Sequence, residues 1–228
     1  MELPEILHED NHLLAVNKRV ADLVQGDVTG DRSLDDLLKA YLKEKYHKPG
    51  NVFLGVIHRL DRPVSGVVLF ARTSKALARM NEQFRDRRTV KKYWAVVRER
   101  PPAEEGRLVH YLVRNRRLNK SFAYTGEVEG SKRAELEYRV VGRSRTYWFL
   151  EVTLLTGRHH QIRAQLAAVG CPIRGDLKYG YPRSDPGGGI HLHARELRFL
   201  HPVRKEEVTI IADPPEDMLW DVFREQAG

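Results

Sequence analysis

The sequence predicts an α+β fold in which a mixed, mainly antiparallel β-sheet is flanked by helices. Three observations favour this class: apolar runs alternate with polar residues at the period of a strand, hairpin-like turns separate most of them, and a few segments repeat at helical spacing. The chain has 228 residues, 41% of them hydrophobic, which is enough for one sizeable core. We therefore expect residues 1–228 to form a single domain of catalytic size.

The amino-terminal elements follow from local spacing. The segment "EILHEDNHLLAVNK" alternates around the polar pair Asp10-Asn11 and predicts a β-hairpin. A helix is expected next, with Ser33 at its N-cap and Asp36 three residues later in a near capping box. Its buried face is predicted from five apolar residues at helical spacing, Leu34, Leu37, Leu38, Tyr41 and Leu42.

The middle of the chain predicts strands around a second helix. "VFLGVIHRL" and "VVLFART" are apolar and rich in β-branched residues, and the turn-forming "DRPVSG" separates them. Ser74 is expected to cap a helix whose inner face holds Leu77, Met80 and Phe84. "VKKYWAVV" returns to strand, and three hairpin-connected strands are expected at "GRLVHYLV", "AELEYRVV" and "YWFLEVTLL".

The last third predicts two helices and two strands. Alternation in "AELEYRVV" places Glu135, Glu137 and Arg139 on its outward side. "RHHQIRAQLAAVG" predicts a helix that Thr156-Gly157 opens and Gly170 closes. "IHLHARELRFL" and "VTIIAD" predict strands, and a final helix is expected around "EDMLWDVF".

Composition restricts the partners and the compartment. The formal net charge is +8 and the pI is about 9.6, which favours nucleic acid over a membrane, although a basic charge also merely keeps proteins soluble. Cys171 is the only cysteine, so an internal disulfide and a thiolate metal cluster are excluded. The acidic start "MELPEILHED" does not resemble a signal peptide, and no long apolar run occurs. We expect a cytoplasmic protein.

The stretch "IHRLDRPVSG", residues 57–66, holds the most informative carboxylate. Asp61 lies between Arg59 and Arg62, which favour its ionised form, and Pro63 turns the chain out of the preceding strand. Strand alternation would place Arg59 and Asp61 on the same face. Two interpretations remain open on this pattern alone: a structural ion pair, or a carboxylate presented as a nucleophile or electrostatic partner.

Four motifs together resemble the RluA family of RNA pseudouridine synthases. They are "HRLDRPVSG", "KKYWAVV", "TGRHHQIRAQL" with "GCPIRGDLKYG", and "LHARELRFLHP", and they occur in the order of the family. The resemblance implies a pseudouridine synthase-like fold and a cofactor-independent isomerisation, in which uridine in RNA is detached, rotated and rejoined through its fifth ring carbon. We expect it to cover a catalytic domain only, without the amino-terminal S4 domain that many relatives carry.

The resemblance also implies roles for individual residues. Asp61 matches the aspartate that attacks the nucleotide, at the anomeric carbon or by a glycal route, and Arg163 matches its basic partner. Tyr93 matches the tyrosine that stacks on the target base and helps to remove the C5 proton; its alternative is a core aromatic. Arg59 matches the arginine that fills the gap left by the flipped nucleotide, and its alternative is simple pairing with Asp61.

Further substrate contacts are expected from the same motifs and from basic clusters. The motif neighbours that we expect to contact RNA are His58, Arg62, Arg158, His159 and Ile162. The basic clusters are residues 85–92, residues 114–120 and Lys132-Arg133, with Phe122 and Tyr124 as stacking aromatics; a solvated basic face is their alternative. We expect a monomer.

Two other functions are compatible with parts of the sequence. A non-catalytic RNA-binding or RNA-folding module would keep the fold and the charge. A metal-dependent RNA hydrolase would need a metal site, but His159-His160 and the His191/His193 pair have no suitable partners, so no metal is expected. The sequence does not indicate whether ribosomal RNA or transfer RNA is the substrate.

Overall fold

The structure is a computed structural model that describes residues 2–26, 30–185 and 187–227. In these ranges the α-helices are α1 Leu34–Lys45, α2 Ser74–Arg85, α3 Gln161–Ala168 and α4 Met218–Ala227. The strands are β1 Glu5–Glu9, β2 Leu13–Lys18, β3 Gly55–Val56, β4 Ser65–Ala71, β5 Val90–Val97, β6 Glu105–Asn115, β7 Lys120–Tyr124, β8 Lys132–Arg143, β9 Trp148–Leu154, β10 Leu192–Leu200 and β11 Glu207–Ile211. The predicted α+β class with a mainly antiparallel sheet is confirmed.

The chain divides into two compact units. The first comprises Met1–Thr89 and Arg195–Asp213, and the second comprises Val90–Ala194 and Pro214–Gly228. The division passes through β10, so this strand contributes residues to each unit. The expectation that residues 1–228 act as one catalytic domain stays a prediction.

In the first unit β1 and β2 form the hairpin that their alternation predicts, and β2 pairs antiparallel with β4. One face of these strands packs on α1, whose Leu34, Leu38 and Leu42 are completely buried. The other face packs on Met80 of α2 and on Phe199 of β10. Each of these side chains contributes roughly 1.5–3 kcal/mol of burial free energy, so two helix faces fix the strands between them.

The second unit is an antiparallel sheet in the order β5–β9–β8–β6–β7. Helix α4 covers one face, where Phe223 stacks on Trp94 with ring centroids 4.4 Å apart. Helix α3 packs through Ala164 against Leu112 of β6. The sheet therefore presents two covered faces, and α3 lies on one of them.

Local hydrogen bonds override several predicted boundaries. The strand predicted through residue 60 ends at Val56, because the His58 ring accepts the Leu69 N–H at 3.2 Å, in place of a backbone carbonyl. The second helix is capped by Thr73, not Ser74: the Thr73 hydroxyl accepts the Ala76 N–H at 3.1 Å. The predicted Ser33 N-cap is in place, but its hydroxyl bonds Asp35 and Asp36 side chains instead of the backbone.

In the second unit one prediction was wrong and one strand was not predicted. Glu135 was expected to face outward, yet it is 4% exposed and forms ion pairs with Arg107 and Arg133. Strand β7 was not predicted, because "KSFAY" is short and half polar. Cys171 is buried in this unit, and burial raises the pKa of its thiol to about 11.

Candidate active site

The segment that carries Asp61 is a turn rather than the end of a strand. The Val64 N–H donates to the Asp61 carbonyl at 3.0 Å, and β4 begins one residue later. Asp61 is half-buried, whereas Arg59 and Arg62 are exposed. Strand alternation cannot align Arg59 with Asp61 here, so the turn itself determines how the carboxylate is presented.

A buried lysine holds this turn from inside the first unit. Lys18 is completely buried, and its ammonium donates to the carbonyls of Arg19, Arg62 and Val64 at 2.9, 3.1 and 2.6 Å. Burial lowers the pKa of Lys18 to about 8, against the opposing effect of the Asp22 and Asp61 carboxylates. A cation therefore lies under the Asp61 turn.

Lys18 was not among the predicted site residues, although its position in the alternation of β2 indicated burial. Leu14, Val16 and Lys18 alternate on β2, and the first two belong to the apolar cluster around α1. A lysine that continues a buried stripe needs acceptors, because an ammonium group is costly to bury without them. The inward position of Lys18 on β2 therefore indicates a buried cation with a structural role.

Two predicted substrate contacts in the first unit have partners inside it. The His58 ring stacks on Phe84 with centroids 5.2 Å apart, besides accepting the Leu69 N–H. Arg62 forms an ion pair with Asp31 at 3.1 Å, with both side chains half exposed. His58 therefore stabilises the unit, whereas Arg62 keeps an exposed guanidinium.

Tyr93 lies in β5 of the second unit and is half-buried. It pairs in register with Val152 of β9, while its neighbour Trp94 points to the opposite face and into the cluster under α4. Alternation along β5 thus separates the two aromatics, as the sequence predicts. Tyr93 does not belong to the cluster that contains Trp94.

Arg163 is part of a buried bidentate ion pair. Its Nε and Nη2 donate to the two Asp176 carboxylate oxygens at 2.7 and 2.9 Å, and both side chains are at least 95% buried. The guanidinium also lies over the Tyr179 ring, 5.1 Å from its centroid. Asp176 lies in the motif "GCPIRGDLKYG" but was not among the predicted site residues, because a pairing across 13 positions leaves no periodic signal.

The entry to α3 is more irregular than predicted. The helix begins at Gln161 after His160, whose φ of 53° is left-handed, so His159 and Arg163 do not share a helical face. The His159 and His160 rings stack 3.8 Å apart. His159 Nδ1 bonds the Ser121 hydroxyl at 2.9 Å, which ties the helix entry to β7.

The other predicted contacts near α3 differ in exposure. Arg158 is half-buried and donates through Nε to the Arg133 carbonyl at 3.1 Å, while its own N–H binds the Gln161 side chain. Ile162 is 4% exposed and contributes to packing.

In the described ranges no three His, Cys, Asp or Glu side chains are grouped to hold a metal ion. No helix there is long and apolar enough to cross a membrane.

Comparison with known proteins gives the chain a family context. Residues 12–168 match the family model described as RNA pseudouridylate synthase. Ribosomal large subunit pseudouridine synthase D of Xylella fastidiosa is 36% identical, over 94% of this chain and 67% of that protein. tRNA pseudouridine synthase C of Haemophilus influenzae is 33% identical over 98% of both chains.

The fold has a close counterpart among solved structures. Human RNA pseudouridylate synthase domain containing 4 superposes with a TM-score of 0.81 and 25% identity, covering 98% of this chain and 92% of that one. The likeness extends over nearly all elements of both units.

Proposed function

The chain belongs to the RNA pseudouridylate synthase family, and from that premise we propose that it isomerises specific uridines of ribosomal or transfer RNA with Asp61 as the catalytic residue. One observation carries the assignment: Asp61 stands half-buried on a turn whose carbonyls are held by a buried cation. A carboxylate on a rigid turn is suited to attack, because its position is set before substrate binds.

The reaction that we assign to Asp61 conserves all atoms. The carboxylate takes part in breaking the bond between N1 of uracil and the ribose, by attack at the anomeric carbon or by a glycal route. The base rotates, C5 bonds to the ribose, the C5 proton is lost and N1 gains a proton. Tyr93 would stack on the base and assist removal of the C5 proton.

Arg163 is the last residue of the motif "HQIR". In the family the basic residue that ends this motif is the charge partner of the catalytic aspartate, so we assign that role to Arg163. Its bidentate bonds to Asp176 supply orientation, because a guanidinium fixed at two nitrogens has little freedom left. Asp176 is accordingly a positioning residue.

RNA contacts are assigned to side chains with exposed polar groups. Arg59 is exposed and suits the wedge role, which the reaction requires because a stacked uridine hides its glycosidic bond. We also assign RNA contacts to Arg62, Arg158 and His159, whereas the burial of Ile162 and the packing of His58 favour supporting roles. We propose that the enzyme acts in the cytoplasm and as a monomer.

Tritium release tests the assignment. RNA labelled at C5 of uracil and isolated from cells lacking this gene keeps its target uridine, and we expect the wild-type protein to release tritium from it. Asp61→Asn should reduce release by several orders of magnitude while folding and RNA binding persist. Glu44→Gln, which changes an exposed carboxylate of the same unit outside the basic clusters, should behave like the wild type.

The alternatives give different results in the same assay. RNA bound without tritium release by the wild type would favour a non-catalytic RNA-binding module. Strand cleavage that a chelator abolishes would favour a metal-dependent hydrolase. Full activity of Asp61→Asn would remove Asp61 from the chemistry.

A further inference from the structure

A basic pocket lies in the second unit where β5 ends and β8 turns into β9. Its volume is about 550 Å³, and its lining is Arg98, Arg143, Ser144, Arg145, Thr146 and Trp148. A smaller cavity beside it, of about 370 Å³, shares Arg143 and Trp148 and adds Arg100 and Glu104. Glu104 is the one carboxylate among these lining residues, so the concave surface is strongly cationic.

Trp148 is placed among these cations. The guanidinium carbons of Arg100 and Arg143 lie 5.6 and 5.7 Å from the centroid of its ring system. Trp148 is half-buried, so part of the indole surface is accessible beside the two guanidinium groups. An accessible aromatic ring among arginines is the combination that binds nucleotides, since bases stack on the ring and phosphates pair with the cations.

Most of the arginines have no acidic partner in the described part of the chain. Arg98, Arg143 and Arg145 form no ion pair there with a carboxylate, and Arg100 approaches Glu104 only at 3.8 Å with both side chains largely exposed. Three neighbouring guanidinium groups that have no ion-pair partner among the described residues repel one another. A polyanion would relieve this repulsion.

The frame of the pocket is fixed before any ligand binds. In the β8–β9 connection the Ser144 N–H donates to the Tyr147 carbonyl at 2.8 Å, and the Ser144 hydroxyl accepts the Tyr147 N–H at 3.0 Å. The Arg143 carbonyl accepts a hydrogen bond from Gln226 of α4 at 3.1 Å. The backbone that carries the arginines is therefore held by both the turn and the last helix.

The position of the pocket relates it to Tyr93. Trp148 pairs in register with Val97, four residues along β5 from Tyr93, so both aromatics are on the same face of the sheet. At about 3.3 Å per residue the separation is roughly 13 Å. A few nucleotides of RNA span such a distance.

We propose that this Arg–Trp pocket binds the backbone and one base of an RNA segment next to the target uridine. The proposal rests on the proposed function and deepens it, since it names a surface that selects RNA by what flanks the modified nucleotide. Arg98, Arg143 and Arg145 contact phosphate, and Trp148 stacks on a base.

Intrinsic fluorescence tests the stacking. The chain has three tryptophans, and Trp94 and Trp220 are only 7% and 3% exposed, so Trp148 is the accessible reporter. We expect a short single-stranded oligouridylate to quench the emission of the wild type, corrected for its own absorbance, and to lose this effect with Trp148→Phe. Quenching retained in Trp148→Phe, or absent in the wild type, would overturn the proposal. Equal quenching by inorganic pyrophosphate would indicate a free-anion site and also overturn it.

Salt dependence tests the arginines. For the double variant Arg143→Gln, Arg145→Gln, the slope of log affinity for the oligouridylate against log salt should fall by about 0.7 for each lost phosphate contact. Arg139→Gln is the matched control, because that β8 arginine is already paired with Glu151 at 3.0 Å. A slope unchanged in the double variant would refute the phosphate contacts.

The two proposals fail in different ways. If wild-type protein releases tritium but the pocket variants bind RNA like the control, the pocket assignment is wrong and the isomerase remains. If the pocket variants weaken binding while the wild type releases no tritium, the pocket stands as an RNA site and the proposed isomerase fails.

Discussion

The turn that carries Asp61 and the helix that carries Arg163 are held in opposite ways. The turn depends on backbone carbonyls that converge on one ammonium group, that of Lys18. Helix α3 is anchored by several independent side-chain bonds, among them Arg163 to Asp176 and Gln165 to the Leu108 carbonyl. Loss of Lys18 should therefore weaken the turn more than loss of any one side-chain bond weakens α3, although the Arg62 carbonyl keeps the Ala21 N–H as a second donor.

The largest effect should come from Lys18→Met. The substitution fills the space but leaves the Arg19 and Val64 carbonyls without this donor, at roughly 1–3 kcal/mol for each buried group, while the Arg62 carbonyl keeps the Ala21 N–H. We expect the free energy of unfolding in urea to fall by about 2–6 kcal/mol. Lys39→Met, which removes a half-exposed lysine paired with Asp35, should change it by less than about 1 kcal/mol. Similar values for the two variants would contradict the role of Lys18.

Alkaline pH offers a second way to probe the turn. The pKa of Lys18 is about 8 in the folded protein and 10.5 in its unperturbed state. Between these values the unfolded chain binds more protons, so stability rises with pH by up to about 3 kcal/mol from this group. The difference between wild type and Lys18→Met, measured from pH 8 to 10.5, isolates the contribution. A pH-independent difference would show that Lys18 keeps an ordinary pKa.

Asp176→Asn tests whether α3 tolerates loss of its strongest anchor. The amide keeps one acceptor for the Arg163 guanidinium but loses the charge, and hydrogen bonds to charged groups contribute about 1.5–3 kcal/mol. We expect that loss in urea unfolding, together with slower tritium release, because Arg163 loses its fixed orientation. Loss of stability beyond that of Lys18→Met would reverse the comparison.

Thr156→Val should have the smallest effect. The Thr156 hydroxyl donates to the Gln161 side chain at 2.7 Å and accepts the Glu135 N–H, but Gln161 keeps its bond to the Glu135 carbonyl. Because the remaining bonds hold the helix entry, we expect a loss of about 1 kcal/mol. Thermal unfolding would measure this loss of stability. A much larger loss would mean that α3 depends on a single contact.

Elements with a regular period were predictable, and those set by one distant contact were not. The β1–β2 hairpin, α1 and β5 follow from alternation or helical spacing in the sequence. The end of β3 depends on the His58 ring, which replaces a carbonyl acceptor, and no local pattern indicates that exchange.

The candidate site divides in the same way. Motifs identified Asp61, Tyr93 and Arg163, and their roles stay predictions. The supporting residues Lys18 and Asp176 were not predicted from the sequence, because the importance of a buried charge depends on which groups surround it. Lys18 at least had a local signal in its inward position on β2, whereas Asp176 had none.

The buried single thiol has a practical consequence for spectroscopy. Cys171 is 1% exposed and its pKa of about 11 leaves almost no thiolate at neutral pH, so alkylating reagents should react with it slowly. Cysteines introduced at exposed positions can then be labelled selectively with spin or fluorescent probes, and the unaltered protein serves as the unlabelled blank. Distances across the molecule become measurable during turnover without first removing a native residue from the core.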